Sequence, residues 1–152
     1  MSLRAIGSRK HSKGFSLLEL VVVITVIGIL AAIALPAYRE SIRKSGRTGA
    51  KGALMDLALR QEQFFLNNRS YSDSLAGLGL PDPYVVNSRS EQVAATDTQG
   101  LYAITLANVT STSYDAVATA VNDQSEDSCG NYTLTSTGTR QASGAAGSSV
   151  CW

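Results

Sequence analysis

The sequence predicts an α+β fold: a long N-terminal helix whose first half spans a membrane and whose second half packs against a small antiparallel sheet of three to four strands. Three observations predict it. The run from Phe15 to Leu30 is almost wholly apolar, and apolar residues continue to Tyr38. Apolar side chains then recur at helical spacing at Leu54, Leu57, Ala58, Phe64 and Phe65. Beyond them lie short stretches rich in Val, Thr, Ile and Tyr, separated by turn-forming residues.

Taken in order, residues 1–14 form a basic head with Arg4, Arg9, Lys10 and Lys13 and no acid. Residues 15–38 would measure about 36 Å as a helix, enough to cross a hydrocarbon core of about 30 Å. Within that span stands one carboxylate, Glu19. A charge near the middle of a membrane helix costs about 2.5–3.5 kcal/mol, so it calls for a partner and a role. An ordinary secretory signal cut near Ala32–Ile33–Ala34 is the competing reading, and the carboxylate and the length of the segment speak against it. Pro36 loosens a helix without necessarily ending it. Gly46, Gly49 and Gly52 each weaken the next stretch by about 1 kcal/mol relative to alanine, permitting either close approach or a poorly formed joint. The second-half stripe leaves Arg60, Glu62 and Asn67 towards water.

From Asn68 to Gly100 the composition turns to Ser, Asn, Asp, Gly and Pro, interrupted by Leu75, Leu78 and Leu80 and by Pro81–Asp82–Pro83. Strands are expected at Leu101–Ala107, Tyr114–Val121 and Tyr132–Ser136, and their alternation, Tyr102, Ile104 and Leu106 against Ala103, Thr105 and Ala107, suits an antiparallel sheet with one face on the helix. The segment Gly138–Ser149 reads as a loop of small residues, and Trp152 as a plug over the edge of the core.

The formal charge of +1 hides an asymmetry. Without the four bases of residues 1–14 it becomes 1 − 4 = −3, and from Asn68 onward three bases, Arg69, Arg89 and Arg140, face eight acids. An acidic head disfavours nucleic acid, whose unspecific binding is mostly counterion release by Lys and Arg. The remaining bases, Arg39, Arg43, Lys44, Arg47 and Lys51, gather just after the span and read as a solvated or lipid-facing collar. Catalytic constellations are missing: the sole histidine, His11, precedes the span, and neither a phosphate-cradling glycine loop nor a metal motif occurs. Asp123, Glu126 and Asp127 read as a solvated acidic turn, because their spacing does not match a calcium loop. The chain is expected to be a substrate and a building block, not an enzyme, with neither cofactor nor metal.

Gly14–Phe15–Ser16–Leu17–Leu18–Glu19 resembles the processing site of type IV pilins and their relatives. Pro36, the amphipathic stretch from Leu54 to Phe65, and Cys129 with Cys151 extend the resemblance over nearly the whole chain. It implies a leader, residues 1–14, removed by a membrane-embedded prepilin peptidase after Gly14. Phe15 would be N-methylated, residues 15–38 would form the transmembrane and filament-core helix, and residues 39–152 the head. It also implies a disulfide between Cys129 and Cys151. Two cysteines in a chain leaving the cytoplasm allow that one intramolecular pairing, with a metal site as the weaker alternative. Glu19, about 6 Å along the helix from Phe15, is placed to meet the cationic amino terminus of a neighbouring subunit and to set register in the bundle. In related filaments the helix loses regular structure around the region matching Gly28 to Pro36.

The function implied is that of a minor pilin most like those of the type IVa system. The Tyr71–Ser72–Asp73–Ser74–Leu75 stretch and the Cys–Trp ending resemble such minor pilins. Its partners would be other pilin subunits, the prepilin peptidase, the inner-membrane assembly platform and the membrane. Its location would be a single inner-membrane pass with a periplasmic head, then the filament at the cell surface, serving adhesion or twitching motility. Three alternatives stay open: a major pilin, which sequence separates poorly from a minor one, a type II secretion pseudopilin, which usually lacks this disulfide, and a binding pilin for DNA uptake or adhesion. The DNA form needs a basic, aromatic-bearing surface, which Arg69, Arg89 and Arg140 would have to build by converging in space.

Overall fold

The computed structural model describes residues 15–152. The first helix, α1, runs from Leu17 to Asn68 and passes through both Gly28 and Pro36. The chain divides after Tyr38 into two compact units. Along the first unit the apolar side chains are exposed, from Phe15 to Tyr38. The apolar stretch has a mean hydropathy of 2.8, with nothing of it buried within the chain. A surface of that kind finds its stable environment in lipid or among other apolar helices.

The second unit, from Arg39 onward, is built on the rest of α1. Gly46, Gly49, Ala50, Ala53, Leu54, Leu57 and Gln61 are its buried positions. They recur at intervals of three and four residues, one face of the helix. Six strands form one antiparallel sheet in the order β2-β1-β3-β4-β5-β6. They are β1 Tyr84–Val86, β2 Gln92–Val93, β3 Tyr102–Ala107, β4 Asp115–Ala120, β5 Tyr132–Thr135 and β6 Arg140–Ala142. In the centre, Tyr102 pairs with Ala120, Ile104 with Ala118 and Leu106 with Ala116. Tyr132 lies opposite Ala118 and Leu134 opposite Ala116. One buried cluster joins Leu54 and Leu57 to Tyr102, Ile104, Ala116, Ala118, Tyr132 and Leu134. Each leucine buried this way contributes about 1.5–3 kcal/mol. Two alanines at the middle of β4 leave room for the large side chains beside them.

The six strands exceed the three to four expected, and the reason is local. The strands expected from sequence correspond to β3, β4 and β5. The others are two or three residues long and lie in polar, proline- or glycine-rich surroundings, where alternation has no length to show itself. The segment expected as a small-residue loop therefore contains β6 and a one-turn helix, α2, Ser148–Cys151. Between α1 and β1 the Leu75, Leu78 and Leu80 side chains are buried around a 3₁₀ turn at Ala76–Leu78.

The glycines resolve into two kinds. A Cβ on Gly46 would lie 2.8 Å from a methyl of Leu101 and 2.9 Å from Oε1 of Gln124, and one on Gly49 would lie 2.9 Å from the backbone oxygen of Asn87. Gly52 is exposed, and its Cβ would meet only the Ser90 hydroxyl, at 3.7 Å. The helix is continuous across all three. The first two glycines are thus docking points where the β1–β2 turn and the segment after β4 reach the helix, rather than a broken joint.

Candidate functional site

In the span, Phe15 lies just before the helix and is 81% exposed. Glu19 occupies the first turn of α1, where the positive end of the helix dipole favours a carboxylate. It is exposed and makes no ion pair among the described residues. Gly14, the residue expected to precede the cleaved bond, lies outside the described residues. Gly28 and Pro36 are both helical, and nothing comes within 4 Å of a Cβ built on Gly28.

In the head, Cys129 and Cys151 form a disulfide with Cα atoms 5.7 Å apart, closing a sequence separation of 22. Its surroundings overturn the reading of the basic residues as a simple collar. Arg47 grips the Asp127 carboxylate with two nitrogens, Nε donating to Oδ2 at 2.8 Å and Nη2 to Oδ1. It also donates to Glu40 at 3.2 Å. Arg43 pairs with Glu126 at 3.1 Å, and Lys51 donates to the carbonyl of Cys151 at 3.0 Å. Three of the five bases therefore anchor the disulfide-bearing end of the chain to α1.

Asp127 is accordingly neither part of a solvated turn nor a cation ligand. Its side chain is 1% exposed and also accepts from Gln124 Nε2 at 3.0 Å. Burial alone would raise its pKa; the hydrogen bond and charge of Arg47, the Gln124 amide and the Cys129 backbone amide outweigh that and hold it below the usual carboxylate range. The hydrogen bond to Asp127 raises Arg47, which stays cationic throughout. Gln124 Nε2 also reaches the Tyr102 hydroxyl and the Arg43 carbonyl. Burial pushes Tyr132 up to about 12, so it is a neutral phenol at all ordinary pH. No sequence pattern marked the Arg47–Asp127 pair, whose members stand 80 positions apart.

Trp152 stands edge-on to Tyr132, with ring centroids 5.4 Å apart, and its Nε1 donates to the Gln141 carbonyl at 2.7 Å. Arg140 lies over the indole at 5.6 Å. The three bases considered for a nucleic-acid surface do not converge. Arg89 sits in the β1–β2 turn and Arg140 on β6, four strand steps apart in the sheet order, or about 19 Å. Arg69 follows the end of α1. What the fold does bring together is Lys51, Trp152 and Arg140, through Cys151. Lys44 lies two turns earlier on the same helix, and none of the three cations has a carboxylate within 4 Å among the described residues. Among those residues no group of three or more His, Cys, Asp or Glu side chains is placed to hold a metal ion.

Residues 36–133 match a family described as type IV minor pilin ComP, DNA uptake sequence receptor. Residues 9–35 match the prokaryotic N-terminal methylation motif. Among individual relatives, the type IV major alpha-pilin of Moraxella bovis is 45% identical over 74 residues, 45% of this chain and 46% of that protein. The type IV major pilin protein PilE1 of Neisseria gonorrhoeae is 36% identical over 75 residues, 47% of this chain and 43% of that protein. The type II secretion system core protein G of Pseudomonas aeruginosa is 33% identical over 70 residues, 46% of this chain and 49% of that protein. The chain thus spans about half the length of these curated relatives. With the methylation motif leading into the apolar helix and the family match covering most of the head, the chain belongs to the ComP-type family of type IV pilins.

Proposed function

We propose that this chain is a minor pilin, a structural or priming subunit of a type IV filament with no catalysis of its own. Prepilin peptidase cuts after Gly14 and methylates Phe15, and the assembly platform draws the subunit from the inner membrane, its head periplasmic until assembly. The observation that carries this reading is the match of residues 36–133 to a family described as minor pilins. The apolar half of α1 supports it, because a surface left wholly exposed within the chain is suited first to lipid and then to a bundle of like helices. Mass spectrometry of membranes and of sheared filaments tests it. A minor pilin gives a chain beginning with N-methylated Phe15 in the filament fraction, far below the main subunit in amount. Parity with the main subunit indicates a major pilin, and absence from filaments favours the secretion-system reading.

A second reading, DNA reception, draws on the description of the matched family. The expectation that nucleic acid is no partner rested on an acidic head, yet Lys51, Arg140 and Trp152 form a local cationic patch with a planar ring. Fluorescence anisotropy with duplex DNA distinguishes the two. A receptor binds with a steep salt dependence that Lys51→Ala and Arg140→Ala together reduce, whereas a purely structural subunit binds no better than its net charge allows.

A further inference from the structure

We infer that the outer half of α1 carries a contact surface for a second copy of this chain, the two helices running parallel and in register. Only one point rests on the filament-subunit reading: copies anchored in one membrane enter it from the same side, so their helices run parallel. Thr48, Gly52, Met55, Leu59, Glu62 and Leu66 are all exposed and follow one another at alternating steps of four and three. That spacing is the repeat by which one helix packs along another. Met55, Leu59 and Leu66 are 43%, 58% and 77% exposed, and beyond Ile42 they are the large apolar side chains that this half of α1 leaves uncovered. The sheet takes the opposite face, at Ala50, Ala53, Leu54 and Leu57, so the row points away from the core.

The charges beside the row choose the occupant. Lys51 lies on one flank and Asp56 on the other, five positions further along. In a parallel, in-register pair of helices a flanking residue faces the partner's opposite flank roughly five positions on. Lys51 of each copy therefore meets Asp56 of the other, twice by symmetry. Within its own chain Lys51 has no carboxylate within 4 Å among the described residues. Its bond to the Cys151 carbonyl uses one of the three donors of an ammonium group. Asp56 is half-exposed and engages Arg60 through Oδ2, at 2.8 Å. The apolar span of a neighbour, the other helix a filament offers, brings only the acid Glu19 to these charges.

Glu62 is the one charge within the row, and in this pairing it faces its own copy. The Tyr71 hydroxyl donates to it at 3.0 Å, which draws it towards its own head. Like charges still oppose each other there, so the contact is weakened at this position and its strength depends on that carboxylate.

Cysteine cross-linking of the full chain in membranes tests the pairing. Cys129 and Cys151 are bonded to each other, so an introduced cysteine is the free thiol. Under mild oxidation Leu59→Cys gives a disulfide-linked dimer, whereas Thr137→Cys, exposed in the turn between β5 and β6, stays monomeric. Adding Asp56→Lys lowers the dimer yield about threefold, and Lys51→Glu on top of it restores the yield, a rescue that damage to the fold would not give. Glu62→Gln raises the yield. No dimer from Leu59→Cys, a yield indifferent to Asp56→Lys, or linkage only to a copy carrying Ile24→Cys, the mark of staggered helices, overturns the assignment. The filament content of the same cells is read by mass spectrometry. A chain that cross-links through Leu59→Cys but is absent from filaments sinks the filament reading alone; one present in filaments without that cross-link sinks the dimer alone.

Discussion

At the scale of single residues, three glycines on one helix make opposite predictions. A methyl at Gly49 meets a backbone oxygen, which cannot swing aside as a side chain can. Gly49→Ala therefore costs about 1–3 kcal/mol, typical of overpacking. At Gly52 the space is open and the backbone is helical, so Gly52→Ala is neutral or stabilising by up to about 1 kcal/mol. Thermal unfolding of the two variants gives shifts of opposite sign. A shared stabilisation would mean that Gly49 is not a docking point. In the sequence these residues looked alike, since their helical propensity is the same and only the tertiary neighbours differ. The Arg47–Asp127 pair is hidden for the same reason, because its members are 80 positions apart. Arg47→Ala strands a buried carboxylate and costs about 3–5 kcal/mol. The pair also fixes a pH dependence. Asp127 binds its proton more weakly folded than unfolded, so its contribution is complete above roughly pH 4 and is lost as pH falls below that through the folded value. The stability advantage of the wild-type chain over Asp127→Asn, read from melting curves, is present at neutral pH and disappears on acidification below about pH 4.

At the scale of elements, the disulfide, α2 and Trp152 act as one clamp on the edge of the sheet. Among the described residues strand β6 pairs only with β5, so its outer side would otherwise present free backbone groups. Instead the Ser148 hydroxyl accepts from the Ala142 amide, and Trp152 donates to the Gln141 carbonyl. Lys51 holds the same segment to α1 through Cys151. Closing a sequence separation of 22 restrains the unfolded chain by about 3 kcal/mol, so Cys129→Ser with Cys151→Ser lowers stability by about that amount. Hydrogen exchange shows where the loss falls. Protection drops first at Gln141 and Ala142 and persists in β3 and β4, and a uniform loss across the sheet would contradict the clamp. The elements with length were legible from sequence: α1 by period and hydropathy, and the three longer strands by alternation and residue type. Cys129 and Cys151 could be paired because no other cysteines compete. Strands of two or three residues carry no period, so β1, β2 and β6 became visible only through their partners. Gln61 escaped as well, since glutamine at a helical core position reads as surface. It is fully buried because its amide satisfies both the N–H and the carbonyl of Ser72, at 2.9 and 2.8 Å.

At the scale of the whole molecule, the proposed filament role turns on one charge within an otherwise apolar surface. Apolar helices in lipid gain little from the hydrophobic effect when they meet, so their packing alone sets a weak register. In the proposed filament Glu19 would break that degeneracy. Inside lipid it costs about 2.5–3.5 kcal/mol while uncompensated, and a cationic amino terminus on a neighbour removes much of that cost only at one axial offset. In the proposed filament the carboxylate would supply both a driving force for leaving the bilayer and a register for the bundle, whereas cleavage would depend on residues nearer the cut bond. Glu19→Ala is expected to be processed normally and to accumulate in membranes at wild-type level. Its yield in sheared filaments, relative to the main subunit, falls about tenfold or more, matching the loss of an interaction of roughly 1.4 kcal/mol or greater. Replacing Gly14 by a bulky residue gives the complementary result, an uncleaved chain in the membrane and none in filaments. Quantitative mass spectrometry of both fractions reads the two variants together. Wild-type incorporation of Glu19→Ala would refute the pairing and leave apolar packing and the heads to set the register.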